Sequence, residues 1–182
     1  ASQEGKEMAR DRRVEYTKMV IRDSFIRLLQ EKPINKITVK EVCELADINR
    51  STFYKYYLDP YDWLEQAKKE CLETSQKVIE GIDSTDLEIL LIELFETIKS
   101  NFEMFSVIFA NYGDLLQEIF ALYLEKAESR LKDTILQNPE GKNKWECYFR
   151  IYGCNGIICC WIKDGMKQTP KELASYITQL IK

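Results

Sequence analysis

Ile37-Thr38-Val39-Lys40-Glu41-Val42-Cys43-Glu44-Leu45-Ala46-Asp47-Ile48-Asn49-Arg50-Ser51-Thr52-Phe53-Tyr54-Lys55-Tyr56-Tyr57 is the stretch on which the fold turns. Thr38-Val39-Lys40-Glu41 has the S/T-x-x-E form of a capping box, in which the Thr hydroxyl bonds the third helical amide and the Glu reaches back. A helix therefore starts at about Thr38, carries Val39, Val42, Cys43 and Ala46 inward, and ends at the turn Asp47-Ile48-Asn49. Asn49 can cap a following helix, Arg50 to Tyr57. Phe53 and Tyr57 share its inner face, which leaves Arg50, Ser51, Tyr54 and Lys55 outward. Two short helices joined by a tight turn, the second polar and basic, make a helix-turn-helix. In that plan the second helix enters the major groove of DNA with its N-terminal residues at base edges. Guanidinium, ammonium and hydroxyl groups are what phosphate oxygens and base acceptors require.

Outward from this stretch the pattern stays helical. Val14, Ile21, Phe25 and Leu28 form one face of a helix that ends at Lys32-Pro33. Residues 1–10, ASQEGKEMAR, lack that periodicity and are expected to form a flexible arm. Asp59-Pro60 pairs a cap with proline at the first helical position, opening a helix to about Gly81 with Leu64, Ala67, Cys71 and Val78 buried. Thr85-Asp86-Leu87-Glu88 repeats the capping box, and Leu87, Leu91, Leu94, Ile98, Phe102 and Phe105 keep helical spacing beyond it. Tyr112-Gly113-Asp114 turns the chain into a helix from Leu115 to about Leu136, and Asn138-Pro139-Glu140-Gly141 is a loop. Trp145 to Ile162 is the most apolar run, but Arg150 interrupts it too early for a membrane span of about 20 apolar residues. It reads as a buried helix that Gly165 can end. Thr169-Pro170-Lys171-Glu172 starts the last helix, with Leu173, Ile177 and Leu180 on one face.

Composition narrows the function. The 182 residues can bury a core without disulfides or metals, and 7 Gly with 4 Pro suit an all-α chain. There is no histidine, which removes the Ser-His-Asp triad, the Cys-His pair and the usual catalytic zinc site. No catalytic residue, metal ligand or cofactor is therefore assigned. Cys43, Cys71, Cys147, Cys154, Cys159 and Cys160 show no C-x-x-C spacing. They lie in apolar helical stretches and no secretory signal is evident, so reduced thiols in a cytoplasmic protein are expected. The net charge of −4 argues against a nucleic-acid partner, yet its distribution reverses the inference. Residues 1–57 hold 12 Lys and Arg against 9 Asp and Glu, a basic head on an acidic body.

The runs Ile37 to Val42 and Ala46 to Tyr57 resemble the DNA-binding domain of TetR-family transcriptional regulators, over about residues 11–65. The resemblance implies an all-α homodimer with an N-terminal DNA-binding domain and a C-terminal domain that senses an effector and dimerises. It implies phosphate contacts from Thr38, Thr52, Tyr54 and Lys55 and base-edge contacts from Arg50 and Ser51. Lys40, Asn49 and Tyr56 complete the expected DNA-binding surface. The family usually has Gly where Asp47 stands, His where Tyr56 stands and Lys where Pro60 stands. Asp tolerates left-handed geometry better than most residues. Gly153 to Trp161, followed by Gly165, Thr169-Pro170 and Glu172, is similar to the C-terminal domain of the DhaS-like branch, regulators of dihydroxyacetone kinase operons.

The expected architecture is thus all-α: an arm over 1–10, a three-helix helix-turn-helix domain over 11–57, and a helical bundle over 58–182 whose first helix, 58–81, connects the two. The expected partners are palindromic double-stranded DNA, a second copy of the chain, and a small apolar or aromatic effector that releases a repressor. No membrane association is expected. Phe102, Phe105, Tyr112, Leu116, Tyr148, Arg150 and Tyr152 are candidates for the effector pocket. The aromatics would serve an ordinary core equally well, and Arg150 could instead pair with a carboxylate. Gly153 and Gly156 would let backbones approach at a two-fold four-helix interface that also takes Ile158, Trp161, Ile162, Leu173, Ile177 and Leu180. Two other readings compete: a DNA-bound activator or co-regulator whose C-terminal domain binds a protein, and, remotely, a helical enzyme using Glu and Lys. The lack of a nucleotide-binding glycine loop weighs against the enzyme.

Overall fold

In a computed structural model, which describes residues 3–127 and 144–181, every regular element is helical. The chain divides into two compact units, Ala1–Ala67 and Lys68–Lys182. The division falls inside a continuous helix, Pro60–Gly81, rather than at the expected joint after residue 57.

The first unit begins with α1, Gln3–Glu31. The stretch expected as an arm is helical from Gln3, because only Gly5 interrupts a run of strong helix formers such as Glu, Lys, Met, Ala and Arg. The buried face of α1 is Ile21, Phe25, Ile26 and Leu28. Thr17 and Ser24 lie on that face too, and each hydroxyl donates to the carbonyl four residues back. Pro33 stops the helix, a short 3-10 turn follows at Ile34–Lys36, and α2 spans Val39–Ala46. Next comes α3, Arg50–Phe53, and then α4, Pro60–Gly81. Phe25 stacks on Trp63 with ring centroids 4.2 Å apart, and Phe53 packs against both Phe25 and Tyr57. Full burial of rings of this size is worth about 1.5–3 kcal/mol each, so this aromatic cluster sets the angles between α1, α3 and the start of α4.

In the second unit α5, Leu87–Ser100, is the central helix, and it packs most extensively on α9, Pro170–Ile181. Leu90, Leu91, Leu94, Phe95 and Ile98 of α5 are fully buried. Asp86 caps α5 rather than Thr85: its carboxylate accepts from both Glu88 N and Ile89 N, two amides that an ionised acceptor serves better than one hydroxyl. The helical spacing expected to continue through Phe105 is broken at Asn101, whose side chain donates to the Thr97 carbonyl. The chain restarts there as α6, Phe102–Asn111. Then follow α7, Leu115–Lys126, and α8, Lys144–Lys163. The expected extension of α7 to Leu136 and the loop at 138–141 lie outside the described residues.

The end of α8 follows the Gly165 signal. Met166 N donates to Trp161 O and Gly165 N to Ile162 O, with Gly165 at φ +78, the paired bonds of a Schellman stop. Trp161 Nε1 donates to Gln168 O, tying the turn to the helix it ends. Thr169 and Glu172 then form the expected capping box for α9. No described helix is long and apolar enough to cross a membrane.

Candidate functional site

The helix-turn-helix is assembled from local bonds. Glu41 Oε2 accepts from Thr38 N and Thr38 Oγ1 at 3.0 and 2.8 Å, while Lys32 Nζ sits 2.5 Å from Oε1. Lys32 first, and Thr38 second, hold the Glu41 carboxyl down at about 2. One carboxylate therefore closes the start of α2 and fastens it to the segment that follows α1. At the other end Asp47 adopts φ 52 and ψ 49, the left-handed conformation that its departure from glycine has to accommodate. Asn49 occupies the cap position of α3, but its side chain makes no cap bond. Regular α geometry lasts only from Arg50 to Phe53, shorter than the expected run to Tyr57. The chain continues as a looser turn, with Lys55 N on Thr52 O and Tyr56 N on Phe53 O. The aromatic and β-branched run there favours this tightening over a longer helix.

This element has two distinct sides. Phe53 is 0% and Tyr57 8% exposed, whereas Asn49, Arg50, Ser51, Tyr54 and Lys55 are exposed. Thr52 and Tyr56 are half-buried at the margin. Thr38 and Lys40 are exposed at the start of α2, where the Thr38 hydroxyl is engaged with Glu41 and Lys40 lies 3.7 Å from Glu44. That exposed lysine pair is weak enough to be released. The start of α4 differs: Asp59 accepts from Asp62 N and Asp62 from Leu58 N, so its own carboxylates occupy the amides an anion would use.

The candidate residues of the second unit do not share one environment. Phe105 and Leu116 are core residues, Tyr112 is half-buried with the Lys68 ammonium 4.9 Å from its ring centroid, and Phe102, Tyr148 and Tyr152 are exposed. The Arg150 side chain lies outside what the structure describes. The expected interface residues divide by helix face. Ile158, Trp161, Leu173 and Ile177 are buried within the unit, while Gly153, Gly156 and Leu180 are exposed and Ile162 is half-buried. Nor is α8 the wholly buried helix its composition suggests, for Trp145 is 77% and Phe149 78% exposed. An open groove of about 730 Å3 runs along this side, with Gly153, Gly156, Ile157 and Cys160 of α8 facing Leu173 and Tyr176 of α9. Glycines at both α8 positions leave its floor low, and nothing within the unit lies within 4 Å of where their Cβ atoms would stand.

Two residues not singled out from the sequence stand apart. Ser75 on α4 and Tyr123 on α7 are fully buried hydroxyls without a hydrogen-bond partner among the described residues. A signal existed for the first, since Ser75 falls one turn after Cys71 on the apolar stripe of α4.

Residues 85–182 match the family described as transcriptional regulator C-terminal region, of the TetR type. No curated protein sequence matches. The fold is similar to that of a TetR transcriptional regulator from Streptococcus agalactiae, with a TM-score of 0.68 and 24% identity over 97% of this chain and 99% of that chain. It is similar also to the dihydroxyacetone kinase operon activator DhaS, with a TM-score of 0.62 and 20% identity over 91% and 93%. The fatty acid regulator FadR from Bacillus subtilis, solved with stearoyl-CoA, follows with a TM-score of 0.58 and 16% identity over 90% and 96%. At these identities the likeness to the solved structures is one of fold. The all-helical architecture, the helix-turn-helix of the first unit and the family match over the second agree: the chain belongs to the TetR family of transcriptional regulators.

Proposed function

We propose that this regulator acts as a homodimer that reads a palindromic operator through α3, as a repressor released by a small apolar or aromatic ligand. The observation that carries the DNA-binding part is the two-sidedness of the recognition element. Phe53 and Tyr57 anchor it in the aromatic core, and Arg50, Ser51, Tyr54 and Lys55 are left together on the outside. Arg50 and Ser51, at the N-terminal end, are assigned to base edges; Thr38, Thr52, Tyr54 and Lys55 are assigned to phosphates, with Lys40, Asn49 and Tyr56 beside them. The basic balance of residues 1–57 supports the same assignment.

The dimer is assigned to the exposed side of α8 and α9. Contiguous exposed apolar surface is unusual on a monomer, and the glycines of α8 suit close helix crossing. A ligand regulates only if it binds the DNA-competent and DNA-incompetent states with different affinity. Helix α4, continuous from the first unit into the second, is the covalent path for that difference.

Selection of duplexes from a randomised pool by the full chain tests the proposal. The expected product is an inverted repeat with half-site centres about 34 Å apart, or a multiple of one helical turn. Recovery of no enriched sequence would overturn it. The same operator placed before a reporter gene gives the sign of control: higher expression without the protein supports a repressor, lower expression an activator.

A further inference from the structure

Helix α4 is continuous from Pro60 to Gly81, yet its two parts belong to different units, with the boundary between Ala67 and Lys68. Before the boundary Trp63 and Leu64 are buried, and Trp63 stacks on Phe25 in the aromatic cluster that also holds Phe53 of α3. From Leu64 to Lys68 is about one turn, about 6 Å. The stretch Leu64-Glu65-Gln66-Ala67-Lys68 holds neither proline nor glycine, the usual places for a kink. The direction of α4 at Lys68 therefore carries over to the cluster that seats the recognition element.

Beyond the boundary α4 lies along α7 and is gripped at two points. At its end Lys126 of α7 donates to the carbonyls of Ile79 and Ile82, groups that a helix terminus leaves open. At its start the Lys68 ammonium lies 3.0 Å from Glu118 Oε1 and 4.9 Å from the centroid of the Tyr112 ring. From Lys68 to Ile79 is about 16 Å along the axis. Two fixed points that far apart define the line of the helix; with one released, it can pivot about the other. Cys71 and Ile79, buried between and at these points, do not prevent that, because apolar contacts are non-directional.

The grip on Lys68 is directional. Glu118 belongs to α7 and Tyr112 closes α6, so two elements locate one cation. The Lys68 side chain is 20% and that of Glu118 42% exposed, sheltered enough for salt to screen the pair less than a fully exposed one.

We propose that Lys68, clasped by Glu118 and Tyr112, is a positioning residue for operator reading: it fixes the direction in which α4 leaves the second unit, and with it the half-site spacing that the dimer accepts. This rests on the DNA-reading dimer proposed above and deepens it by assigning the residue that sets its spacing.

The test measures binding of the full chain to the operator recovered by selection and to the same operator with one base pair inserted between its half-sites. The insertion moves one half-site by about 3.4 Å and turns it by about 35°. The parent should bind the selected spacing more tightly. In Lys68→Glu and in Glu118→Lys the ratio of the two affinities should fall about three- to tenfold, the range over which single couplings act. The double variant, which restores the pair with its charges exchanged, should recover most of the ratio. Base preference at the position assigned to Arg50 should be unchanged throughout, a readout that general loosening of the reader would move. The thermal midpoint of Lys68→Met, which keeps the apolar stem, should stay within about 4 °C of the parent while its spacing ratio falls. The proposal is overturned if the single variants keep the parent's ratio, if the double variant does not recover it, if base preference is lost along with it, or if Lys68→Met melts lower than this margin. A parent without spacing preference removes the dimeric reading and this inference together; a parent with it and variants that keep it remove this inference alone.

Discussion

Aromatic rings are exposed both beside α3 and along α8, and the company they keep at these two places differs. Next to Tyr54 stand Arg50, Ser51 and Lys55, groups able to hold phosphate and base acceptors. Next to Trp145, Phe149 and Tyr152 stand Gly153 and Gly156, which bring no charge and almost no bulk. Exposed aromatic area is common to both, so it cannot specify a partner. The cations beside the first surface suit a polyanion, and the low glycine floor beside the second suits another helix. Shape and charge together discriminate where hydrophobicity does not.

The contrast breaks most readily at α8. In the proposed symmetric pair Phe149→Asp would place a charge on the apolar side of both subunits, where an anchor of this kind is worth about 2 kcal/mol or more in each. A monomer in analytical ultracentrifugation at micromolar concentration is expected, with operator affinity falling alongside it. Unchanged sedimentation would remove α8 from the interface. At α3 the expected effects are smaller and separable. Arg50→Ala should weaken binding by about 1–3 kcal/mol per half-site and relax preference at one base position. Lys55→Ala should weaken all sequences alike and flatten the slope of log K against log salt by about 0.9 for each phosphate that is no longer neutralised. If binding curves on randomised operators show the two effects exchanged, the two roles are exchanged.

Two further substitutions separate the scaffold of α3 from its surface. The folded-state pKa of Glu41, about 2, lies below its ordinary 4.5, so its contribution is fully present above the ordinary value and is lost as pH falls toward the folded one. The thermal midpoint of the parent should exceed that of Glu41→Gln by a constant margin at neutral pH, and the margin should shrink between pH 4.5 and about 2. A margin that does not change with pH would deny the Lys32 and Thr38 bonds their effect. The smallest change is expected from Asp47→Gly. Relief of a left-handed non-glycine residue is worth about 1–2 kcal/mol, and glycine's greater freedom in the unfolded chain returns about half of it. A slightly raised midpoint with unchanged operator affinity is expected.

What could be read from the sequence was what is decided within a few residues. Thr38 with Glu41, Asp59 before Pro60, Gly165, and Thr169 with Glu172 each bond neighbours in the chain, and each marks a helix end in the structure. Asn101 escaped notice because the apolar spacing of α5 continues across it, although the backbone does not. The faces of α8 could not be told apart for a different reason. Apolar residues stand on both its sides, and periodicity does not say which side meets α5; Trp161 turns inward while Gly156 turns out, whereas on the amphipathic α9 Leu173 and Ile177 turn inward and Leu180 turns out. Five of the seven expected pocket residues are large rings, and such rings fill core and surface alike, whereas Ser75 is small and looks like any helical serine until its missing bond is seen. On the recognition element, composition indicated the outward residues, but the shortening of α3 to a single turn follows from how poorly its aromatic run propagates a helix.

The three tryptophans happen to sit one to each of the places that matter. Trp63 is stacked on Phe25 in the first unit, Trp161 is buried with its indole N–H on the Gln168 carbonyl, and Trp145 stands in solvent on α8. The unlabelled chain is therefore its own spectroscopic probe. Two emitters should be blue-shifted and shielded from iodide, and one red-shifted and quenched. Covering α8 should silence that quenching without touching the other two, whereas loosening of the first unit should shift Trp63 alone. With Trp145→Phe and Trp161→Phe in hand, each event acquires a separate optical signal in the same cuvette.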